Sequence, residues 1–443
     1  MPMDASRLKE LSPALEKIAS LLRPEEINLR QEFDEGSVFT PYLTAFLMIL
    51  QRLRGNASLE AAVTELKENP AWANSHPTLA TGELSSNSGA YSRARKRLKT
   101  QVAEDFADRV FQTLQSTAPP SWQGRRVFMV DGTTLSLTSS DVLRKAFPPA
   151  SNQYGRSVWP ILHCVVAHDL ASGCALRPET GAMYGSKAAG EVSLALKLLP
   201  RIPPQSVLLA DRNFGVFGFV HAAHQAGHDT VTRLTKSRFE ALIRKARRID
   251  PQQWELDWKP TAADRRTHPS LPADAQVKIS IHAVPTQDAE GKDFTLWIAT
   301  TLEVPGEALG EFYRLRQNVE TDIRDVKVSL KMSQLRGRSA EMLSKELALG
   351  MVAYNLVVQI RRLAAARGDI QPRRLSFTGS WTLVNSLILR PRKKSLEAYV
   401  AQFEEVLRGC LQRKLPNRPG RKYPHEQLPR GRKFPDRKPI PLV

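Results

Sequence analysis

Cysteine is almost missing from this 443-residue chain: Cys164, Cys174 and Cys410 are its three, and no two stand in a C-x-x-C spacing. That excludes a disulfide framework and a thiolate zinc site. The nine histidines form no pattern that suggests a metal site either. Acid is in deficit, with 45 Asp and Glu against 64 Lys and Arg, a formal net charge of +19 and a pI near 10.0. A polyanionic partner follows from that balance, because clustered cations gain affinity by releasing counterions from a phosphate backbone. No run of about 18 apolar residues occurs, and the first 22 residues read as polar and helical, without the apolar core of a leader. A cytoplasmic protein with no membrane partner is expected. At 49.6 kDa and 42% hydrophobic residues, the chain can bury a sizeable core in more than one domain.

Residues 1–118 read as helical. Thr40-Pro41 supplies an N-cap and a first-turn proline for a buried helix over 42–53, and an amphipathic helix follows over 58–66. The stretch 88–99 is the most cationic of this half. Ala90, Ala94 and Leu98 make its packed stripe, leaving Arg93, Lys96 and Arg97 together on another side, either as solvated surface or as a grip on DNA.

Past Pro119-Pro120 the period changes to that of strands. Short apolar runs at 126–131, 161–167, 175–178, 206–211 and 230–233, with helices over 193–199 and 217–226, predict a mixed sheet with helices packed on it. Two of those runs close on an acid, Asp131 after Val-Phe-Met-Val and Asp211 after Val-Leu-Leu-Ala. Open sheets commonly hold ligands where such strands end. Each motif also has a plainer reading, Asp131-Gly132 as a turn and Asp211 as a helix cap. A basic helix over 239–248 and strands over 277–284 and 294–302 come next. Trp297 alternates with Phe294, Leu296 and Ile298, so it faces the other side of its strand, either less buried than they are or packed in the core.

The stretch 313–327 lacks Pro and Gly and reads as one helix. Steps of three, four and seven put Tyr313, Arg316, Glu320 and Lys327 on one face, with Arg324 beside them. Leu315, Val319, Ile323, Val326 and Leu330 form a separate apolar stripe. By itself the charged face could be a solvated surface laced by i,i+4 ion pairs. A long helix then runs to about 366, buried along Leu343, Leu347, Met351, Tyr354 and Val358. The stretch 371–410 is helical and amphipathic, and 411–443 carries ten Lys or Arg, two acids and seven Pro, a basic tail.

The spacing Tyr-x2-Arg-x3-Glu-x6-Lys at 313–327 resembles the Y-R-E-K signature of DDE transposases of insertion sequences, the group typified by insertion sequence four. Asp131-Gly-Thr-Thr resembles that family's first-Asp motif. Asp211-Arg-Asn-Phe-Gly resembles its second, with Asn213 in place of the usual Gly. The resemblance implies an α/β protein with a ribonuclease H-like mixed-sheet core, over 119–236 and 305–370, interrupted by a β-rich insertion over 237–304. An all-helical DNA-binding region (1–118) precedes it, and a helical, basic region (371–443) follows. Asp131, Asp211 and Glu320 are then the catalytic, metal-holding carboxylates, suited to two Mg²⁺ ions with Mn²⁺ as substitute. Tyr313, Arg316, Lys327, Arg324, Arg212, Trp297, Arg93, Lys96 and Arg97 would touch DNA, Trp297 by stacking on a flipped base. The implied activity is cleavage of double-stranded DNA at terminal inverted repeats, through a hairpin, followed by strand transfer into target DNA by a homodimer. An inactive DNA-binding relative, and a ribonuclease H-fold nuclease that cuts without joining, are the alternatives.

Overall fold

The computed structural model describes residues 25–416 except 35, 69–75, 154, 288–290 and 390–394, and these form two compact units. The first collects the described residues up to Ala118, the short stretch Ser172–Arg177, and the described residues from Arg324 to 416. Its helices include Pro41–Leu53, Leu59–Glu68, Gly89–Arg97, Thr100–Ser116, Ala340–Arg367, Phe377–Leu389 and Leu396–Leu411. Thr40 caps the first of these by accepting from Leu43 N–H. The helix Ala340–Arg367 is long and apolar enough to cross a membrane, yet 83% of its apolar window is buried inside the protein, as in a core helix. All five residues of its expected stripe are buried.

The basic helix Gly89–Arg97 is fixed from below. Tyr91 donates its hydroxyl to Gln51 at 2.7 Å, and Arg95 pairs with Glu346 at 2.6 Å. Lys345, itself buried, donates to the carbonyls of Arg95 and Lys96 at 3.3 and 3.1 Å, closing the helix C-terminus. Arg93, Lys96 and Arg97 are left exposed. The packed stripe is Tyr91, Ala94 and Leu98; Ala90 is exposed, because the phenol ring rather than the small methyl reaches the core.

The second unit holds one sheet of ten strands: β1 (Val127–Ser136), β2 (Pro149–Asn152), β3 (Gly155–Asp169), β4 (Glu179–Ala182), β5 (Val207–Ala210), β6 (Asp229–Arg233), β7 (Arg247–Asp250), β8 (Gln253–Trp258), β9 (Val277–Gln287) and β10 (Asp293–Thr300). Their order is β2-β3-β1-β5-β6-β10-β9-β8-β7, with β4 on β3. The β1–β5 and β5–β6 pairs are parallel, and every other pair is antiparallel. Parallel neighbours need crossovers, supplied by helices Glu191–Leu198 before β5 and Phe217–Gln225 before β6. The strands after residue 237 join this sheet through β10, which pairs with both β6 and β9.

Two expected elements differ. The run 175–178 is not a strand: the Ala175 N–H and C=O are taken by the Asn355 amide at 2.8 and 2.9 Å, which replaces a ladder with one side chain. The basic helix ends early, at Ile243 (Lys236–Ile243), and Arg247 and Arg248 enter β7.

Apolar residues of alternate strand positions fill both faces. One core joins Val127, Met129, Val207, Leu209, Val231 and Ile298 to Phe312, Tyr313 and Val319; the other joins Phe217, Trp258, Val277, Ile279 and Ile281. The 313–327 stretch is helical throughout but not one regular helix. It passes from Gly306–Arg314 through a 3₁₀ turn, Leu315–Gln317, into Asn318–Arg324 and a π turn, Asp325–Ser329. Each change of pitch rotates the faces. Hence Leu315 is 40% exposed instead of lying in the apolar stripe, and Tyr313 is only 8% exposed instead of standing on an open charged face. The basic tail lies outside the described residues from 417 on.

Candidate active site

The site of the second unit is built by strand alternation. Side chains two apart share a face, so Val127 and Met129 lead to Asp131, Val207 and Leu209 to Asp211, and Val231 to Arg233. The three strands are neighbours, with Val130 opposite Ala210 and Ala210 opposite Thr232. Asp131, Asp211 and Arg233 therefore form a row one residue beyond the end of the parallel pairings, on the face covered by Tyr313 and Val319. Asp131 is not the end of its strand. β1 continues to Ser136 along β3, while its parallel pairing with β5 stops at Val130, and the sheet parts there.

Arg316 ties the helical acid to this row. Its guanidinium lies 3.5 Å from Asp131 Oδ2 and 3.5 Å from Glu320 Oε1. The Arg316 side chain is 14% exposed, whereas that of Glu320 is 69% exposed. Burial pushes the Asp131 carboxyl up to about 6; Arg316 and the Gly132 N–H pull it down, and the nearby carboxylates of Asp211 and Glu191 push it further up. The Tyr313 hydroxyl is pushed up to about 12, chiefly by burial, with Arg316 opposing and Asp211 adding to the rise. Asp211 accepts from the Asn213 N–H at 2.8 Å, a local turn that fixes its carboxylate. Arg238 donates to the carbonyl of exposed Arg212 at 2.6 Å.

The structure thus brings Asp131, Asp211, Tyr313, Arg316 and Glu320 together. Arg324 and Lys327 belong to the helical unit, as do Arg93, Lys96 and Arg97. Trp297 is half-buried in the second core, stacked on Phe239 at 5.3 Å, while Phe294, expected to be the better buried, is 37% exposed. Two residues of the site escaped the sequence reading. Arg233 could have been found from the parity of Val231. Glu191 carried no signal beyond its place in a helix's first turn.

Among the described residues no group of three His, Cys, Asp or Glu side chains is placed to hold a metal ion. Arg316, a cation, stands between two of the expected carboxylates. The donor set fits a hard divalent ion in kind, being all carboxylate oxygen around a position now neutralised by a guanidinium. The Nε atoms of Arg316 and Arg233 are buried without a hydrogen-bond partner, donors that suit the oxygens of a phosphate.

Residues 122–356 match the family model for the transposase DDE domain. The chain is also similar to the transposase InsG for insertion sequence element IS4 of Escherichia coli (strain K12), with 23% identity over 359 residues, covering 78% of this chain and 77% of that relative.

Proposed function

The chain belongs to the family of transposases built on a DDE domain, nucleic-acid-processing enzymes, and from that membership we propose a specific reaction and set of roles. Asp131, Asp211 and Glu320 hold Mg²⁺ or Mn²⁺ and cut DNA at the element's terminal inverted repeats. The observation that carries this reading is Arg316 spanning Asp131 and Glu320 beside Asp211.

In the first step a water oxygen attacks phosphorus at the element's end and the bond to the 3′-oxygen breaks, which leaves a 3′-hydroxyl. That hydroxyl attacks phosphorus on the opposite strand and expels the flanking DNA's oxygen to give a hairpin; water attacks the hairpin phosphorus and releases the 3′-hydroxyl again; and that hydroxyl finally attacks phosphorus in target DNA, expelling the target strand's 3′-oxygen. Bound divalent ions would supply Lewis-acid stabilisation of the attacking and leaving oxygens. The protein's own residues do the rest. Arg316 turns its unused Nε–H to a phosphate oxygen, and Glu320, the most exposed of the three acids, swings toward the pair on the sheet. Tyr313, whose hydroxyl keeps its proton at neutral pH, serves as a fixed donor. Lys327, Arg324, Arg212, Arg93, Lys96 and Arg97 grip the phosphate backbone without reading sequence. Stacking of Trp297 on a flipped base requires that it leave Phe239. A homodimer working in the cytoplasm completes the proposal.

The test is purified full-length protein with terminal-repeat DNA and Mg²⁺ or Mn²⁺. Cleavage and joining of pre-cut ends are expected, and Glu320→Gln should bind ends without cutting them. Cleavage retained by Glu320→Gln removes that residue from the catalytic set. Cutting without joining makes the protein a nuclease.

A further inference from the structure

Glu191, at the start of helix Glu191–Leu198, reaches three separate segments around the acidic pair. Its Oε2 accepts from Asn213 Nδ2 at 3.0 Å, in the turn that carries Asp211. Its Oε1 lies 3.8 Å from His163 Nε2 on β3, and His163 is itself oriented by Nδ1 donating to the Ala189 carbonyl at 2.8 Å. The same carboxylate lies against Gly132, where a methyl group would collide with it. A side chain at 132 would have to displace Glu191, while the backbone itself would accept one, since Gly132 does not have a positive φ. The partner in the Asp211 turn is Asn213, whose own N–H is held by the Asp211 carboxylate, so one residue joins Glu191 to that acid.

The geometry points to Glu191 as a positioning residue: by clamping Gly132 and Asn213 it sets the separation of Asp131 and Asp211, and hence the fit of divalent ions between them. The inference rests on the proposed role of those two acids. A carboxylate in the first turn of a helix also complements the helix dipole. That role alone would affect stability and leave ion binding untouched.

Mn²⁺ binding to the metal-free full-length protein, read by electron paramagnetic resonance alongside the Tm of each variant, tests it. Glu191→Ala should weaken Mn²⁺ binding about tenfold, with a Tm near that of the parent. Glu191→Gln keeps an acceptor for Asn213 and should recover most of the loss. Asn213→Gly and Gly132→Ala, which unclamp the carboxylate from either side, should each weaken binding several-fold. Asn213→Gly combined with Glu191→Ala should be no worse than Glu191→Ala alone, since both remove one contact. Parental Mn²⁺ affinity in folded Glu191→Ala overturns the inference, as does an additive double variant. If Glu191→Ala does not fold, Asn213→Gly decides by the same readout. Asp131→Asn separates the two layers: if it too binds Mn²⁺ normally, the reading of the acids fails, and if only it loses binding, the clamp alone is wrong.

Discussion

Asp131 and Asp211 are held differently from Glu320. The two aspartates extend buried stripes of neighbouring parallel strands: Asp131 is paired on one side, with Val166 of β3, and Asp211 directly follows Ala210, the last paired residue of β5. Glu320 sits where a 3₁₀ turn gives way to an α-helix, mostly exposed, and is linked to the sheet through Arg316. On the proposed reaction the two aspartates are the floor and Glu320 is the arm that closes on it. In that proposal such a division would let a phosphate and its ions enter before the arm closes.

The comparison can be broken most sharply at the acids. Asp131→Asn, Asp211→Asn and Glu320→Gln should each lower cleavage by about 10³-fold or more while end binding, measured by gel shift, stays within a few-fold. Equal loss of binding would mean that the acids shape the fold and not the reaction. Arg316→Ala removes the link between floor and arm, and single-turnover cleavage should fall about 10²-fold. Arg316→Lys should recover little, because a point charge cannot span two carboxylates as a planar fork does.

A smaller effect separates floor from arm by pH. The raised Asp131 carboxyl means that the folded state holds its proton up to about pH 6, above the ordinary carboxylate range. The folded state then binds more protons than the unfolded one between about pH 4 and 6. In metal-free protein this contribution is full below about pH 4 and is lost as pH rises through 6, at most about 3 kcal/mol. Urea denaturation across that window should show the decline, and Asp131→Asn should flatten it while Glu320→Gln leaves it intact. The smallest expected change is at Trp297. Replacement by Ala removes its stacking on Phe239 and should cost about 1–3 kcal/mol of stability. Loss of hairpin formation without loss of stability would instead place the indole on DNA.

What could be read in the sequence was what depends on local pattern. The strands leading to Asp131 and Asp211 are continuous apolar runs, and the Thr40 cap and the long buried helix follow from residue type and period. Positions set by distant partners were not readable. The run 175–178 has the composition of a strand but is satisfied by Asn355, 180 residues away. A constant 3.6-residue period puts Tyr313 and Leu315 on faces that they do not keep, because the backbone tightens at Leu315 and widens at Asp325. Glu191 gains its place only when β1, β3 and the Asp211 turn are assembled, so nothing within its own helix announced it.

The most direct test of the central claim is an anomalous difference map from crystals grown with Mn²⁺. The account predicts density between the Asp131 and Asp211 carboxylates, with Glu320 turned inward and Arg316 displaced from the gap. Density at a site away from these acids, or none at saturating Mn²⁺, would contradict it.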